Sequence, residues 1–271
     1  MRFFAPFRLL VPLLSFLLSA AYAQTAPLAA ASAHYGVYQG DKAVGSGDYN
    51  IQPGPNGYTL TSHGQLKLSK FNYSFANTQR LDGDLNLVRD ELDGNVNGSA
   101  VTFTANADPT GRGFQMNVSA NGKQTQNTVD RHLHLVLLPD LDPAAYILLA
   151  RLAIQNPPTS WILIPKQDGI LVPSSITHGS SVRGQLNGTQ IDVQHSTVTV
   201  GAENTINVEL FYTPDSRLLE ADLPQQNFSV VQDGFKLIDH PKPTPSSNGS
   251  QGRSTSQYPA PQGGAPEPVQ Q

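Results

Sequence analysis

The sequence predicts a mainly β fold, in which a curved antiparallel sheet, arranged as a half-barrel or a sandwich, surrounds one buried central helix. Three observations lead to this prediction. One segment near the middle of the chain has a helical pattern that is apolar on almost every side. Much of the remaining sequence alternates apolar and polar residues, which is typical of half-buried strands. Asn-Gly dipeptides, which favour tight hairpins, recur along the chain.

The central helix is bounded by signals at both ends. Asp142 is a good N-cap, Pro143 suits the first helical position, and Asn156, followed by two prolines, ends the run. Only Arg151 and Gln155 form a polar stripe, so the helix must be buried on most sides. At roughly 13 residues, or about 20 Å, it is too short to span a bilayer. We therefore expect a buried crossover helix that packs against the sheet.

Strands and turns account for most of the remaining pattern. The apolar segments 133–138 and 161–164, on either side of the helix, predict buried strands. Hairpins are predicted where both residues of a dipeptide tolerate positive φ, at Asn56-Gly57, Asn97-Gly98, Asn121-Gly122 and Asn187-Gly188.

Residues 1–23 have the three regions of a secretory signal peptide. Arg2 and Arg8 supply the positive charge, Leu9 to Leu18 are apolar, and Ala21-Tyr22-Ala23 is a small-residue cleavage site. The short apolar run, broken by Pro12, disfavours the alternative of an uncleaved membrane anchor. We therefore expect a Sec-type signal peptide cleaved near Ala23 and a periplasmic or secreted mature chain. The sequence has no cysteine, so disulfide bonds do not stabilise it.

The charge distribution excludes one class of partner. Removing the signal peptide leaves 15 basic and 21 acidic residues, a net charge of −6, with no basic cluster. Nucleic acid is therefore not an expected partner, because nothing supplies the electrostatic footprint that phosphates require. No second apolar run is long enough for a transmembrane helix, so we expect no transmembrane span in the mature chain.

The composition divides the chain into four parts. After the signal peptide comes a small-residue lead-in at 24–33, which we expect to be mobile, and then a β-rich domain at 34–238. Residues 239–271 are rich in Pro, Ser, Gly and Gln and nearly lack apolar side chains. Such a segment cannot offset its ordering entropy, so we expect a disordered tail.

Several short motifs resemble uncharacterised exported β-domains of Gram-negative bacteria. They are Tyr35-Gly-Val-Tyr38 with Gly45, Gly57-Tyr-Thr-Leu-Thr61, Ala144-Ala-Tyr-Ile-Leu-Leu149, Pro165, and Leu218-Leu-Glu-Ala-Asp-Leu-Pro224. The resemblance covers about residues 34–235. Such domains are similar to the curved half-barrels of envelope lipid and lipoprotein carriers, in which a sheet wraps a helix over an apolar cavity. The resemblance implies a lipophilic ligand, but the carriers' functional residues have no matching motif here.

If the sheet wraps the helix, aromatic side chains should converge on its interior and line an apolar pocket where the core is incompletely filled. Arg151 is a candidate polar contact at the rim. The predicted ligand-binding residues are Phe71, Tyr73, Phe75, Phe103, Tyr146, Arg151 and Trp161. The leading hypothesis is a non-enzymatic envelope protein, without a cofactor, that binds an apolar ligand or a partner protein between sheet and helix.

Two alternative hypotheses remain open at the level of sequence. His132 and His134 could chelate one metal ion, because residues two apart on a strand point to the same face. They would define a periplasmic metal-dependent or hydrolytic enzyme. Glu220 and Asp222 form a carboxylate pair of the kind glycosidases use, but their alternating context predicts a solvated strand face. The third hypothesis is a structural or interaction module that docks a partner.

Overall fold

The computed structural model describes residues 27–165, 169–202 and 205–240. The predicted signal peptide and residues 241–271 of the predicted tail lie outside the described residues. The described residues all belong to one compact unit that ends at His240. The prediction of a mainly β fold with one helix is confirmed.

The elements are β1 Ala31–Gln39, β2 Lys42–Gly54, β3 Gly57–Lys67, β4 Asn72–Leu81, β5 Leu87–Val96, β6 Ser99–Ala107, β7 Gly113–Ala120, β8 Lys123–Asp130, β9 Leu135–Leu137, α1 Pro143–Gln155, β10 Ser160–Ile164, β11 Ile170–His178, β12 Val182–Leu186, β13 Thr189–Val200, β14 Ile206–Tyr212, β15 Leu218–Leu223, β16 Phe228–Gln232 and β17 Phe235–Leu237.

All the strands belong to one curved sheet. From β8 it runs through consecutive antiparallel neighbours to β1, then through β16, β15, β14, β13 and β11 to β10 and β9. The β9–β10 pair is parallel. The strands β12 and β17 pair with each other, and β12 also pairs with β13, so the two form a flap beside the main sheet.

The helix α1 lies inside this curve, as predicted. It contacts strands from both halves of the chain, including β2, β3, β14 and β15, and it connects the parallel strands β9 and β10. Asp142 is the N-cap and accepts a hydrogen bond from the backbone N–H of Ala144, while Asn156 adopts the left-handed conformation at the C-cap. The prediction of a buried crossover helix is therefore confirmed.

Three of the four Asn-Gly hairpins form as expected. In the β5–β6, β7–β8 and β12–β13 turns, both residues have positive φ, as in Asn97 (51°) and Gly98 (88°). The β2–β3 turn differs, because only Gly57 has a positive φ, at 130°. There Pro55 and Asn56 form the turn, and Gly57 already pairs with Gly54 as the first residue of β3.

The boundaries of two predicted segments need correction. The folded domain begins before residue 34, because β1 starts at Ala31 and pairs with Ile51 of β2. Leu28 is also buried, and its N–H donates to Tyr58 Oη. The strand expected at 133–138 spans only Leu135–Leu137, because His134 has a positive φ of 54° that is incompatible with an extended strand.

The described residues form two apolar cores. The larger core fills the space between α1 and the concave face of the sheet. The smaller one lies on the opposite face of β13–β15, under the β12–β17 flap, and consists of Val182, Val193, Phe211, Leu219, Phe235 and Leu237. Among the described residues, no helix has the length and apolar content needed to cross a membrane.

Candidate functional site

Three of the predicted ligand-binding residues lie together at the start of β4. The rings of Phe71 and Tyr73 stack with centroids 6.3 Å apart, and those of Tyr73 and Phe75 stack at 5.4 Å. Phe75 is buried over Gly64 of β3, while Phe71 and Tyr73 are half-buried. Within this aromatic row, Phe71 and Tyr73 are therefore the members that are partly exposed at the surface.

The other predicted ligand-binding residues lie elsewhere. Phe103 and Tyr146 are each only 1% exposed and belong to the main core. Trp161 is half-buried in β10 and stacks on the imidazole of His132 at 3.9 Å. Arg151 is 5% exposed, so it is not at a rim, and burial lowers its pKa. The structure thus does not gather all seven residues around one pocket, and their role in binding stays a prediction.

The space between the helix and the sheet is filled by core side chains. A cavity of about 10 Å³ lies there, lined by Leu85, His134, Leu135, Val136, Leu148 and Leu152. An enclosed water molecule needs about this much volume, so the cavity is far too small for a lipid. A lipophilic molecule between helix and sheet would have to displace side chains of the core.

A larger cleft lies beside the aromatic row. It has a volume of about 370 Å³ and is lined by Val44, Gly45, Gln65, Leu66, Lys67, Asn72, Tyr73, Ser74 and Asn95. Clefts that bind small molecules typically start at about 300 Å³. The residues come from β2, β3, β4 and β5, where the register places Leu66 opposite both Gly45 and Tyr73.

The lining of the cleft combines two kinds of chemistry. Val44, Leu66 and Tyr73 are the apolar and aromatic residues of the lining, while Lys67 is its cation and Asn72, Asn95 and Gln65 carry amides that can form hydrogen bonds. Burial, followed by the charges of Asp140 and Asp142, raises the pKa of Tyr73, so its phenol is neutral at physiological pH. The cleft can therefore accommodate a molecule with both an apolar and a polar or anionic part.

The predicted metal ligands do not share a strand face. His132 and His134 precede β9, and the imidazole of His132 stacks on Trp161. Within the described ranges, no group of three or more His, Asp or Glu side chains is arranged to hold a metal ion. The two imidazoles are therefore not placed to chelate one ion from a shared strand face, and metal binding by this pair stays a prediction.

Sequence reasoning missed a polar cluster on the outer face of β13–β15. His195 Nε2 lies 2.6 Å from Glu209 Oε2, and Thr197 Oγ1 donates to the same oxygen at 2.8 Å. The imidazole also stacks on Phe211. Burial opposes the ionisation of Glu209, but the hydrogen bonds from His195 and Thr197 outweigh it and lower its pKa. The sequence did carry a signal, because His195 and Glu209 lie two positions from Val193 and Phe211 on their strands and therefore share a face with the smaller core.

Glu220 and Asp222 adjoin this cluster and are half-buried, which corrects the expectation of a solvated face. Asp222 lies directly opposite Glu209 in the sheet. Burial and the neighbouring charge of Asp222 raise the pKa of Glu220 to about 8, and burial also raises the pKa of Asp222. The covering flap explains the burial, since β12 and β17 come from distant parts of the sequence.

This pair predicts a pH dependence of stability. The pKa of Glu220 is about 8 in the folded protein and near 4.5 when unfolded, so between these values the folded state holds a proton that the unfolded state releases. Stability is therefore highest below this window and falls as the pH rises through it. We expect Glu220→Gln to stabilise the protein by roughly 2 kcal/mol at about pH 9, a value discounted for partial solvation, and to have little effect near pH 4. Urea unfolding at both pH values checks this.

The matched control is Glu91→Gln, which removes an exposed carboxylate from β5 and should leave the pH slope unchanged. An identical slope in the wild-type protein and Glu220→Gln would contradict the prediction.

Comparison with known proteins adds a structural relationship. No protein-family model matches the sequence, and no curated protein matches it. Among solved structures, the chain is similar to a β-barrel-like protein of a domain of unknown function, DUF1849, from Brucella abortus, with a TM-score of 0.51 and 12% identity over 79% of this chain and 99% of that one. A DUF1089 family protein from Pseudomonas aeruginosa matches with a TM-score of 0.43 and 13% identity, over 68% of this chain and 91% of that one. The chain thus shares the β-barrel-like fold of the Brucella domain.

Proposed function

We propose that this chain is an exported, non-enzymatic envelope protein that binds a small amphiphile in the cleft beside Tyr73. The apolar part of the ligand contacts Val44, Leu66 and Tyr73. The polar head, a carboxylate or a phosphate, contacts Lys67 and the neighbouring amides. The ligand then lies at the end of the β2–β5 segment, and not in the space between sheet and helix, where core side chains lie.

The observation that carries the proposal is the lining of the cleft. A purely polar cleft would not favour a lipophilic molecule, and a purely apolar one would not orient its head. Here buried Leu66 and half-buried Tyr73 lie beside exposed Lys67 and Asn72. Small-molecule sites typically combine an apolar wall with a few placed polar groups.

The location in the envelope rests on the sequence. The signal-peptide pattern of residues 1–23 and the absence of cysteine are typical of an exported bacterial protein. A carrier without catalytic residues also agrees with the motif content, since no nucleophile elbow or phosphate-binding glycine loop occurs in the β-rich domain.

The first experiment is native mass spectrometry of the mature protein, tail included, purified from its own envelope, followed by organic extraction. We expect a stoichiometric amphiphile. Protein that carries no small molecule but co-purifies with an envelope protein would favour the interaction module instead. Catalytic turnover of an envelope substrate would favour the enzyme.

A matched pair of variants locates the site. Ser74→Trp places a large ring in the cleft, while Ala76→Trp places the same ring on the same strand and face, outside the cleft lining. Both side chains are exposed, so neither change should disturb the core. We expect Ser74→Trp to weaken binding of a dansyl fatty acid by about tenfold or more, equivalent to about 1.4 kcal/mol, and Ala76→Trp to leave it unchanged.

Fluorescence titration measures both affinities. Equal affinities for the two variants and the wild-type protein would place the fatty acid elsewhere. If correctly folded wild-type protein bound no fatty acid at all, the proposal that the protein binds an amphiphile would be contradicted.

A further inference from the structure

A buried polar cluster lies at the N-terminal end of α1, separate from the cleft. It comprises Ser62 of β3, Asn77 and Gln79 of β4, Asp90 of β5 and the helix N-cap Asp142, all almost fully buried. The sheet register brings the strand residues together, because Ser62 lies opposite Asn77 and Gln79 lies opposite Asp90. A cluster of this polarity is unusual in the interior of an otherwise apolar barrel.

Asp142 is well supplied with hydrogen bonds. Its Oδ1 accepts from the N–H of Ala144 at 2.9 Å, and its Oδ2 accepts from Ser62 Oγ at 3.0 Å and Asn77 Nδ2 at 3.3 Å. Burial raises the pKa of Asp142, and the hydrogen bonds from Ser62, Ala144 and Asn77 oppose that shift by stabilising the carboxylate. These hydrogen bonds account for the burial of Asp142, which caps α1 and links the helix to β3 and β4.

Asp90 has no comparable explanation. It is fully buried, and burial raises its pKa well above the usual range; the amides of Asn77 and Gln79 lie close enough to oppose that shift, but neither carboxylate oxygen accepts a hydrogen bond of good geometry. Asn77 Oδ1 and both polar atoms of Gln79 are likewise buried without such a partner. Four unpartnered oxygen atoms from Asp90, Asn77 and Gln79 thus lie on neighbouring positions of two paired strands. Buried polar atoms in this state cost free energy unless a ligand satisfies them.

The charge of the cluster points to the kind of ligand. Asp90 lies close enough to Asp142 for the two carboxylates to repel each other. Among the residues that the structure describes, no Lys or Arg side chain belongs to the cluster, and Arg89 and Arg80, on the same strands, are exposed on the other face of the sheet. Two buried carboxylates without a cation are costly, and a divalent cation neutralises both.

We propose that this cluster is a calcium-binding site, with Asp90, Asn77 and Gln79 as its principal ligands and Asp142 and Ser62 completing it. All of these donors are oxygen atoms, as hard cations prefer. Calcium fits better than magnesium, because Mg²⁺ retains water molecules that a site made of five protein side chains does not accommodate. The ion would fasten α1 to the sheet from inside the barrel.

The test is isothermal titration calorimetry of the full mature protein, after treatment with EDTA, with calcium chloride at neutral pH. We expect one ion per chain and weaker binding of magnesium chloride. Calcium at 100 times its dissociation constant should raise the melting temperature by about 5–10 °C.

Two variants identify the site. Asp90→Asn should abolish the calcium-dependent rise in melting temperature, yet in EDTA it should be at least as stable as the wild-type protein, because the amide needs neither a buried charge nor the uptake of a proton. The matched control is Asp93→Asn, which neutralises an exposed carboxylate on the same strand and should keep the full response to calcium. Calcium binding in the fatty-acid-site variant Ser74→Trp should also be unchanged.

Absence of calcium binding by the folded wild-type protein would overturn the proposal, and would indicate that a proton held by Asp90 satisfies the cluster instead. An undiminished calcium response in Asp90→Asn would overturn it as well, by placing the ion elsewhere. The wild-type titration does not depend on the variants, so it decides the question even if Asp90→Asn fails to fold.

Discussion

Replacing Tyr146 with alanine is expected to destabilise the protein by about 3–5 kcal/mol, the cost typical of removing a large buried aromatic side chain. Tyr146 is 1% exposed and lies on α1 in the main core. The core around it is formed by a sheet whose strands pair with one another, so it cannot collapse freely into the space left by the ring. Urea unfolding monitored by circular dichroism measures the loss, and the melting temperature should fall by roughly 10 °C.

This result separates a core residue from a ligand-binding residue. A ligand residue would weaken binding and leave the stability of the ligand-free protein nearly unchanged. Tyr146→Phe is the matched control, since it keeps the ring and removes only the hydroxyl; we expect it to cost about 1 kcal/mol. A small effect of Tyr146→Ala on the free energy of unfolding would show that the interior is looser than the packing indicates.

Replacing Gly57 with alanine is expected to cost about 3–4 kcal/mol, because two unfavourable effects act at one position. Its φ of 130° lies in a region that side chains disfavour. A Cβ atom there would also lie 2.1 Å from the carbonyl oxygen of Leu81 and 2.8 Å from Cα of Asp82. These are backbone atoms at the end of β4, held by the pairing of Tyr58 with Leu81, so they cannot move aside cheaply.

Gly98→Ala is the matched control for this substitution. Gly98 also has a positive φ, of 88°, but a Cβ atom there would meet nothing within 4 Å. We expect a cost of about 1–2 kcal/mol from the left-handed conformation alone. Both variants change the entropy of the unfolded chain in the same way, so the difference between them isolates the steric overlap. Equal losses in urea unfolding would contradict a close approach of the β3 and β4 ends.

The helix was predictable from sequence because its signals are local. Asp142, Pro143 and Asn156 act on the backbone within a few residues, and the apolar circumference reports burial without reference to any particular neighbour. The turns at Asn97, Asn121 and Asn187 were predictable for the same reason, since the left-handed conformation is a property of the dipeptide itself. The mainly β fold follows from these local patterns.

The candidate sites depend on contacts that sequence spacing does not report. Strand alternation shows which residues share a face but not which face another element covers. Glu220 and Asp222 were therefore expected in solvent, whereas the β12–β17 flap lies over the neighbouring core. Arg151 was expected at a rim, whereas the sheet curves far enough to bury it. In both cases the burial depends on another part of the fold, and not on the local sequence pattern.

Sequence alone thus determined the helix, the hairpins, the mainly β fold and the expectation of export, because each depends on neighbours in the chain. Tertiary structure alone decided that core side chains fill the space between helix and sheet, that Tyr73 borders a cleft, and that Asp90 lies beside Asn77, Gln79 and Asp142. These contacts join residues 11 to 65 positions apart through strand register and helix docking. Long-range pairing in the folded sheet fixes such distances. The buried oxygen cluster could therefore be recognised from the tertiary structure and not from the sequence.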